Sequence, residues 1–332
     1  VARLDGNQLS GVESVWTKGI ELPASALPAA RAEAAALKKT EFRVRAPAGY
    51  PSHVEEIARA RKEKSLAPLL AAYKKAIEDA PDEANSYLNR AAFYSGIYDF
   101  KAAIADHDAA IARNPTADSY QQRASLKAAL GDHGAALADV DEALQLDPGS
   151  EEALAQKIDL LAELGRTEEA LAMAEEQMAG VKDKRRWVGL KADALGKAGR
   201  AAEGAALLAE ALAERPGDPT LLNDLCWLRG TREIELDVAL KDCTRAIELS
   251  ESVAHVLDSR AMVYFRLGRL DEAGADLDAA LKLDPGMPGS FYLRGIIRGR
   301  AEDKVGALAD LALARMQSSE IDKIYAEYGI KP

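Results

Sequence analysis

The stretch "LGRLDEAGADLDAALKLDP", Leu267 to Pro285, decides how this chain is read. It opens on a glycine turn, continues with alanines at helical spacing, carries Asp276 and Asp278 as a D-x-D pair, and ends on a proline. Such a pair invites a metal-binding interpretation. Residues two apart on a helix, however, point about 200° away from each other and cannot chelate one ion. The pair also recurs as "ADHDAA" (Asp106, Asp108) and "ADVDEA" (Asp139, Asp141). The stretch is therefore one copy of an architectural unit.

The period of that unit can be measured along the chain. Turn glycines at Gly131, Gly165 and Gly199 stand 34 residues apart. A small residue that begins the second-helix apolar run keeps the same beat at Ala103, Ala136, Ala170, Gly204, Ala239, Ala273 and Ala307. A fixed spacing of this length marks a solenoid of stacked hairpins. Within one copy, Leu257, Ala261 and Tyr264 lie on one face of a first helix that Gly268 ends. Ala273, Leu277, Ala280 and Leu281 lie on one face of a second helix, which Pro285 follows. Alanines at the contact let the two axes approach to the short end of the usual ~8–10 Å separation. A single hairpin has too little core to stand alone, so each must be covered by the next.

These residues resemble the tetratricopeptide repeat family. Tyr87, Ala91, Tyr94, Ala103, Ala110 and Pro115 carry the match in one unit; Leu257, Ala261, Tyr264, Ala273, Leu277, Ala280 and Pro285 carry it in another. The resemblance implies an all-α fold, a right-handed α-solenoid of seven to eight helix-turn-helix repeats over residues 51–318. Units are expected at 84–116, 117–150, 151–184, 185–218, 219–253, 254–287 and 288–318, with a degenerate one at 51–83 that keeps Tyr73, Ala76 and Pro81. Residues 319–332, where Ile321, Ile324, Tyr325 and Tyr328 share a helical face, are expected to cap the last repeat. Residues 1–50 read as a short α+β segment, and a chain that begins at Val1 is expected to be a piece of a longer protein. In texture the whole resembles bacterial envelope proteins in which β-rich and transglutaminase-like domains precede such repeats. That resemblance implies the periplasm or cell envelope, with the cytoplasm as the alternative.

A formal charge of -11 argues against nucleic acid or an anionic membrane as the main partner. No apolar run is long enough to span a bilayer. The basic cluster "KDKRRW", Lys182 to Trp187, reads as a solvated loop. His53, His107, His133 and His255 fall in different units without metal-ligand spacing. Cys226 and Cys243 share one unit on opposing helices and read as two buried thiols. "GKAGRAAEGA", Gly196 to Ala205, imitates a phosphate loop but follows a helix and lacks G-K-[ST], so it is a helix–turn–helix. No catalytic residue, metal site or cofactor is expected.

An arginine precedes the first aspartate of several pairs by 16 residues: Arg90 and Asp106, Arg123 and Asp139, Arg260 and Asp276, Arg294 and Asp310. Where the arginine is replaced, by Lys157 and Lys191, the aspartate is replaced too, by Met173 and Leu207. Pairs that appear and vanish together predict bridges between the two helices of a unit, with Asp242 as an exception that has Leu225 opposite. The family resemblance further implies that certain first-helix positions face a concave groove. In the last three units these hold Asn223 and Trp227, then Asp258, Met262, Phe265 and Arg266, then Tyr292, Ile296 and Arg300. The middle units hold small or polar residues there: Gln121 and Ser125, Ala155 and Asp159, Gly189 and Asp193. An exposed aromatic and apolar patch beside amide and charged groups predicts a peptide or partner-segment site in the C-terminal repeats. The family's basic clamp for a carboxylate terminus is absent. The expected function is thus a non-catalytic interaction scaffold; the alternatives are the repeat domain of a larger transglutaminase-like enzyme and a structural oligomerisation module.

Overall fold

A computed structural model describes residues 67–250 and 253–332, together with the backbone of three short strands. These strands, β1 (Arg3–Asp5), β2 (Gln8–Ser10) and β3 (Ile20–Glu21), pair antiparallel in chain order. They do not amount to the expected α+β segment, whose helix and "EFRVRAP" strand lie outside the described residues. The first helix of the degenerate unit at 51–83 also lies outside them. Its second helix, α1 (Ala67–Asp79), is present, with Tyr73 fully buried against Phe93 of the next helix at 5.7 Å between ring centroids.

Everything else described is helical, sixteen helices in all among the described residues. Seven hairpins follow α1: α2 (Ala84–Gly96) with α3 (Phe100–Ile111), α4 (Ala117–Ala129) with α5 (His133–Leu146), and α6 (Glu151–Glu163) with α7 (Thr167–Gly180). They continue with α8 (Arg185–Lys197) and α9 (Ala201–Glu214), then α10 (Pro219–Arg232) and α11 (Leu236–Leu249). The last two are α12 (Ala254–Arg266) with α13 (Leu270–Leu283), and α14 (Pro288–Arg300) with α15 (Lys304–Gln317). A short helix, α16 (Ile321–Glu327), follows. This is the tetratricopeptide-like helical solenoid that the period predicts.

Local chemistry sets the ends of these helices. Thr116, Asp132, Ser150, Asp218 and Asp303 accept backbone N–H groups at the starts of α4, α5, α6, α10 and α15. Gly131 and Gly268 turn the chain between helices at φ of 81° and 75°, in the left-handed region that glycine enters without steric cost. The alanine column packs as the hairpin geometry requires: Ala103, Ala136, Ala170, Ala239 and Ala273 have no exposure. Gly204 shows how close the approach becomes, since a Cβ there would sit 2.7 Å from the carbonyl oxygen of Ala192. The glycine-rich run that imitates a phosphate loop is therefore a tight helix–helix contact.

All four expected bridges form. Arg90–Asp106, Arg123–Asp139, Arg260–Asp276 and Arg294–Asp310 are each two-pronged, with N–O distances between 2.5 and 2.8 Å. The aspartates are buried, from 2% exposed for Asp310 to 7% for Asp276. Asp242, expected to lack an arginine, pairs instead with Arg229, one turn further along α10 than Leu225. The second aspartate of each pair also has an architectural partner, which the sequence pattern alone does not reveal. Asp108 bonds Arg123 at 2.6 Å, Asp141 bonds Lys157 at 2.6 Å, and Asp278 bonds Arg294 at 2.7 Å, each reaching the first helix of the following unit. The D-x-D motif thus uses the divergence of its side chains: one carboxylate ties helix to helix, the other ties repeat to repeat.

The cysteines require a correction. Cys226 and Cys243 are both fully buried as expected, but they form a disulfide with Cα atoms 5.3 Å apart. They occupy facing small-residue positions of α10 and α11, where the helices come close enough for the sulfurs to bond.

Candidate functional site

The first helices of successive hairpins lie side by side, α8 against α10 and α10 against α12, and their inward faces line a groove. The nine residues expected there do converge, but they are not an exposed patch. Met262 and Tyr292 have no exposure, Ile296 is 3% exposed, Phe265 6% and Asp258 9%. Asp258 accepts a hydrogen bond from Ser290, and burial raises its pKa to about 6. Only Arg300 stands in solvent, its guanidinium 4.5 Å from the Phe265 ring centre. Asn223 and Trp227 are half-buried.

The cover comes from the chain itself. Residues following α15 cross into the groove: α16 packs on α14 and α15, and Tyr328 just after it reaches α10. Tyr325 stacks at 4.6 Å from Tyr292 and donates its hydroxyl to the Gly289 carbonyl at 2.9 Å. Tyr328 meets Trp227 edge-on at 6.1 Å, and Arg266 donates to the Tyr328 carbonyl. The shared face of Ile321, Tyr325 and Tyr328 is legible in the sequence as amphipathic; α16 packs on both helices of the last hairpin, and Tyr328 just beyond it also reaches into the groove.

Upstream of this plug the groove stays open. A cavity of about 680 Å³ is lined by α6, α8 and α10, with Asp159, Asp193 and Asp224 on its wall and Gly189 and Trp227 beside them. Its basic residues are already committed: Arg185 pairs with Asp183 and Asp218, and Arg186 with Glu152. Asp193 pairs with Lys197 at 2.8 Å. Among the described residues, Asp159 and Asp224 have no cation at ion-pair distance. Burial raises the pKa of Asp224 to about 7, with Asp193 and Asp218 adding repulsion, and that of Asp159 to about 6. These side chains look unremarkable as small or polar replacements in the repeat pattern. Only the approach of three helices turns them into a set. Their signal in the sequence is that Asp159 and Asp193 share one unit position and Gly189 leaves room for Asp224, since a Cβ at Gly189 would lie 2.7 Å from the Asp224 carboxylate.

Among the described residues no group of three His, Cys, Asp or Glu side chains is placed to hold a metal ion. No described helix is long and apolar enough to cross a membrane.

Stacked helical hairpins around an inner groove define the class: a helical-repeat scaffold. Comparison with known proteins supplies the family. Two tetratricopeptide repeat family models match, one over residues 127–194 and one over 254–287. The chain carries tetratricopeptide repeats over these residues. Yeast Tom70 is similar in fold, with a TM-score of 0.55 at 18% identity over 80% of this chain and 58% of that one. A tetratricopeptide repeat protein from Parabacteroides merdae covers 74% of this chain at 16% identity and a TM-score of 0.48. In sequence, the Protein SGT1 homolog of Oryza sativa subsp. japonica is 34% identical over 79 residues, 24% of this chain. The chain spans 22% of the length of that rice protein. Repeats of this family make the chain a scaffold for protein–protein interaction.

Proposed function

We propose that the open part of the concave groove binds a segment of a partner protein that brings a cationic group, a lysine, arginine or free amine, to Asp159, Asp193 and Asp224. The observation that carries this reading is the pair of carboxylates, Asp159 and Asp224, that face a cavity of about 680 Å³ with no cation at ion-pair distance among the described residues, Lys197 acting on Asp159 only from further away. A ligand cation would relieve the repulsion among the three carboxylates and recover the electrostatic energy that burial withholds. The Trp227 edge supplies an apolar contact next to them, and aromatic anchors carry much of the energy of such interfaces. Of the residues expected at the outset, Trp227 borders this cavity, Arg300 stands in solvent, Asn223 and Arg266 are half-buried, and Asp258, Met262, Phe265, Tyr292 and Ile296 are buried.

The test is fluorescence polarisation with labelled peptides that differ only in one central residue: lysine, acetyl-lysine or glutamate. The lysine peptide should bind the full chain, more tightly at about pH 8 than at about pH 5.5 as Asp159 and Asp224 ionise, and Asp193→Asn/Asp224→Asn should weaken it about ten-fold. Equal binding of all three peptides, or an unchanged affinity in the variant, would refute the cationic reading.

A further inference from the structure

The last hairpin is covered in part: α16 packs on α14 and α15, while Leu308 on α15 stays bare. Leu308 follows Ala307 on α15 just as Leu137 follows Ala136 on α5 and Leu171 follows Ala170 on α7. The two inner leucines are each 7% exposed, while Leu308 is 69% exposed. Beyond α15 the chain also crosses the groove. Ser319 donates its backbone N–H and its hydroxyl to the carbonyl of Ala129, at 3.1 and 3.2 Å, across to the second full hairpin and 190 residues away in sequence.

We infer that residues 318–332 are a built-in occupant of the groove, held in cis where a partner segment would lie. The partner that displaces them presents a short helix of the form D-x-x-Y-x-x-Y-G followed by an apolar residue. This rests on reading the concave face as the binding face, and it names the ligand chemistry of the covered end. Asp322, Tyr325 and Tyr328 stand three apart on one face of α16, and each is read by different groups. Asp322 takes the Tyr292 hydroxyl at 2.9 Å and both prongs of Arg315 at 2.6 and 2.7 Å. Tyr325 fills the pocket made by Tyr292 and Gly289 and is 2% exposed. Tyr328 lies between Trp227 and Arg232, whose guanidinium is 5.2 Å from its ring centre, and its carbonyl is captured by Arg266. Ile330 follows the Gly329 turn and is 2% exposed. Aromatic anchors in pockets with one main-chain carbonyl held by an arginine is how a groove recognises a helical peptide.

The occupant is exchangeable by its own physics. A helix of seven residues is not stable away from the surface it packs on. Tethering gives it an effective concentration of roughly millimolar, so a free partner must bind well to compete. The groove thereby ignores weak or non-specific segments.

The experiment uses the full chain carrying Tyr325→Ala and Tyr328→Ala, with a fluorescein-labelled peptide "SSEIDKIYAEYGIKP" as probe. Freed of its own tail, the variant should bind the peptide at least ten-fold more tightly than wild type does. A peptide with both tyrosines changed to alanine should not compete. Equal affinity for the two chains, or binding to neither, would overturn the proposal. Hydrogen exchange of the wild-type chain gives a second readout that needs no variant: the amides of 321–330 should exchange at least ten-fold faster than the interior of α14. Exchange as slow as α14 would make the segment a fixed part of the fold and also overturn the proposal. Neither readout involves Asp193 or Asp224, so a failure here is distinct from a failure of the cationic site.

Discussion

Replacing Asp276 by alanine tests an internal bridge that has no second cation among the described residues. Asp310 is shared by Arg294 and Arg298, and Asp139 by Arg123 and Lys127, whereas Asp276, like Asp106 with Arg90, pairs with one arginine, Arg260. Its two bonds are 2.7 and 2.8 Å long, the carboxylate is 7% exposed and the Arg260 side chain 19%. Removing one partner of a buried pair costs about 3–5 kcal/mol, because the remaining charge is left desolvated and unmatched. Arg260 keeps some access to water, which brings the cost below that range, to about 2–3 kcal/mol. The double variant Arg260→Met/Asp276→Leu removes both charges and should lose clearly less than the single one, since the stranded charge is gone. Equilibrium urea denaturation followed by far-UV circular dichroism measures both. In a repeat protein one hairpin can unfold before the rest, so hydrogen exchange in α12 and α13 should show the loss locally. An Asp276→Ala variant within about 0.5 kcal/mol of wild type would refute the claim that buried bridges hold the hairpins together. A double variant no more stable than the single would refute the mechanism.

Two further outcomes follow from the geometry. Cys243→Ala should lower stability by about 3 kcal/mol, the entropic worth of closing a loop of this size, and reductant should destabilise wild type but not the variant; a reductant-insensitive wild type would contradict the disulfide. The second concerns pH. Asp224 and Asp159 hold their protons to about pH 7 and 6 in the fold but would release them near pH 4 when unfolded. Their stabilising effect is present below about pH 4 and is lost as pH rises through those folded values. Asp224→Asn, which cannot ionise, should therefore gain on wild type between about pH 5 and pH 8. The gain is about 1–2 kcal/mol once solvent screening at the groove is allowed for. A difference in Tm that stays flat across this range would mean that Asp224 titrates normally.

Much of this architecture is written in the chain because its determinants are local and repeated. The glycine turns, the alanine column and the Arg–Asp spacing each act within one hairpin, so the period of the residues is the period of the contacts. The four bridges could be named from co-occurrence alone, because a first-helix arginine and the residue 16 further on, in the second helix of the same unit, meet across one turn. The partner of the second aspartate, the disulfide and the acidic set depend on how hairpins are placed against one another. Asp108 reaches the next unit, Cys226 and Cys243 meet at the closest helix contact, and Asp159, Asp193 and Asp224 converge from three helices. The destination of the last helix lies furthest from any local signal. An amphipathic face at residues 321–330 states that something must cover it; the last hairpin supplies part of that cover, and Trp227, from an earlier unit, supplies another part. What decides is the curvature of the solenoid, a small rotation per repeat summed over many repeats, which brings Ala129 within hydrogen-bonding reach of Ser319. That sum is a property of the whole stack, and no single repeat contains it.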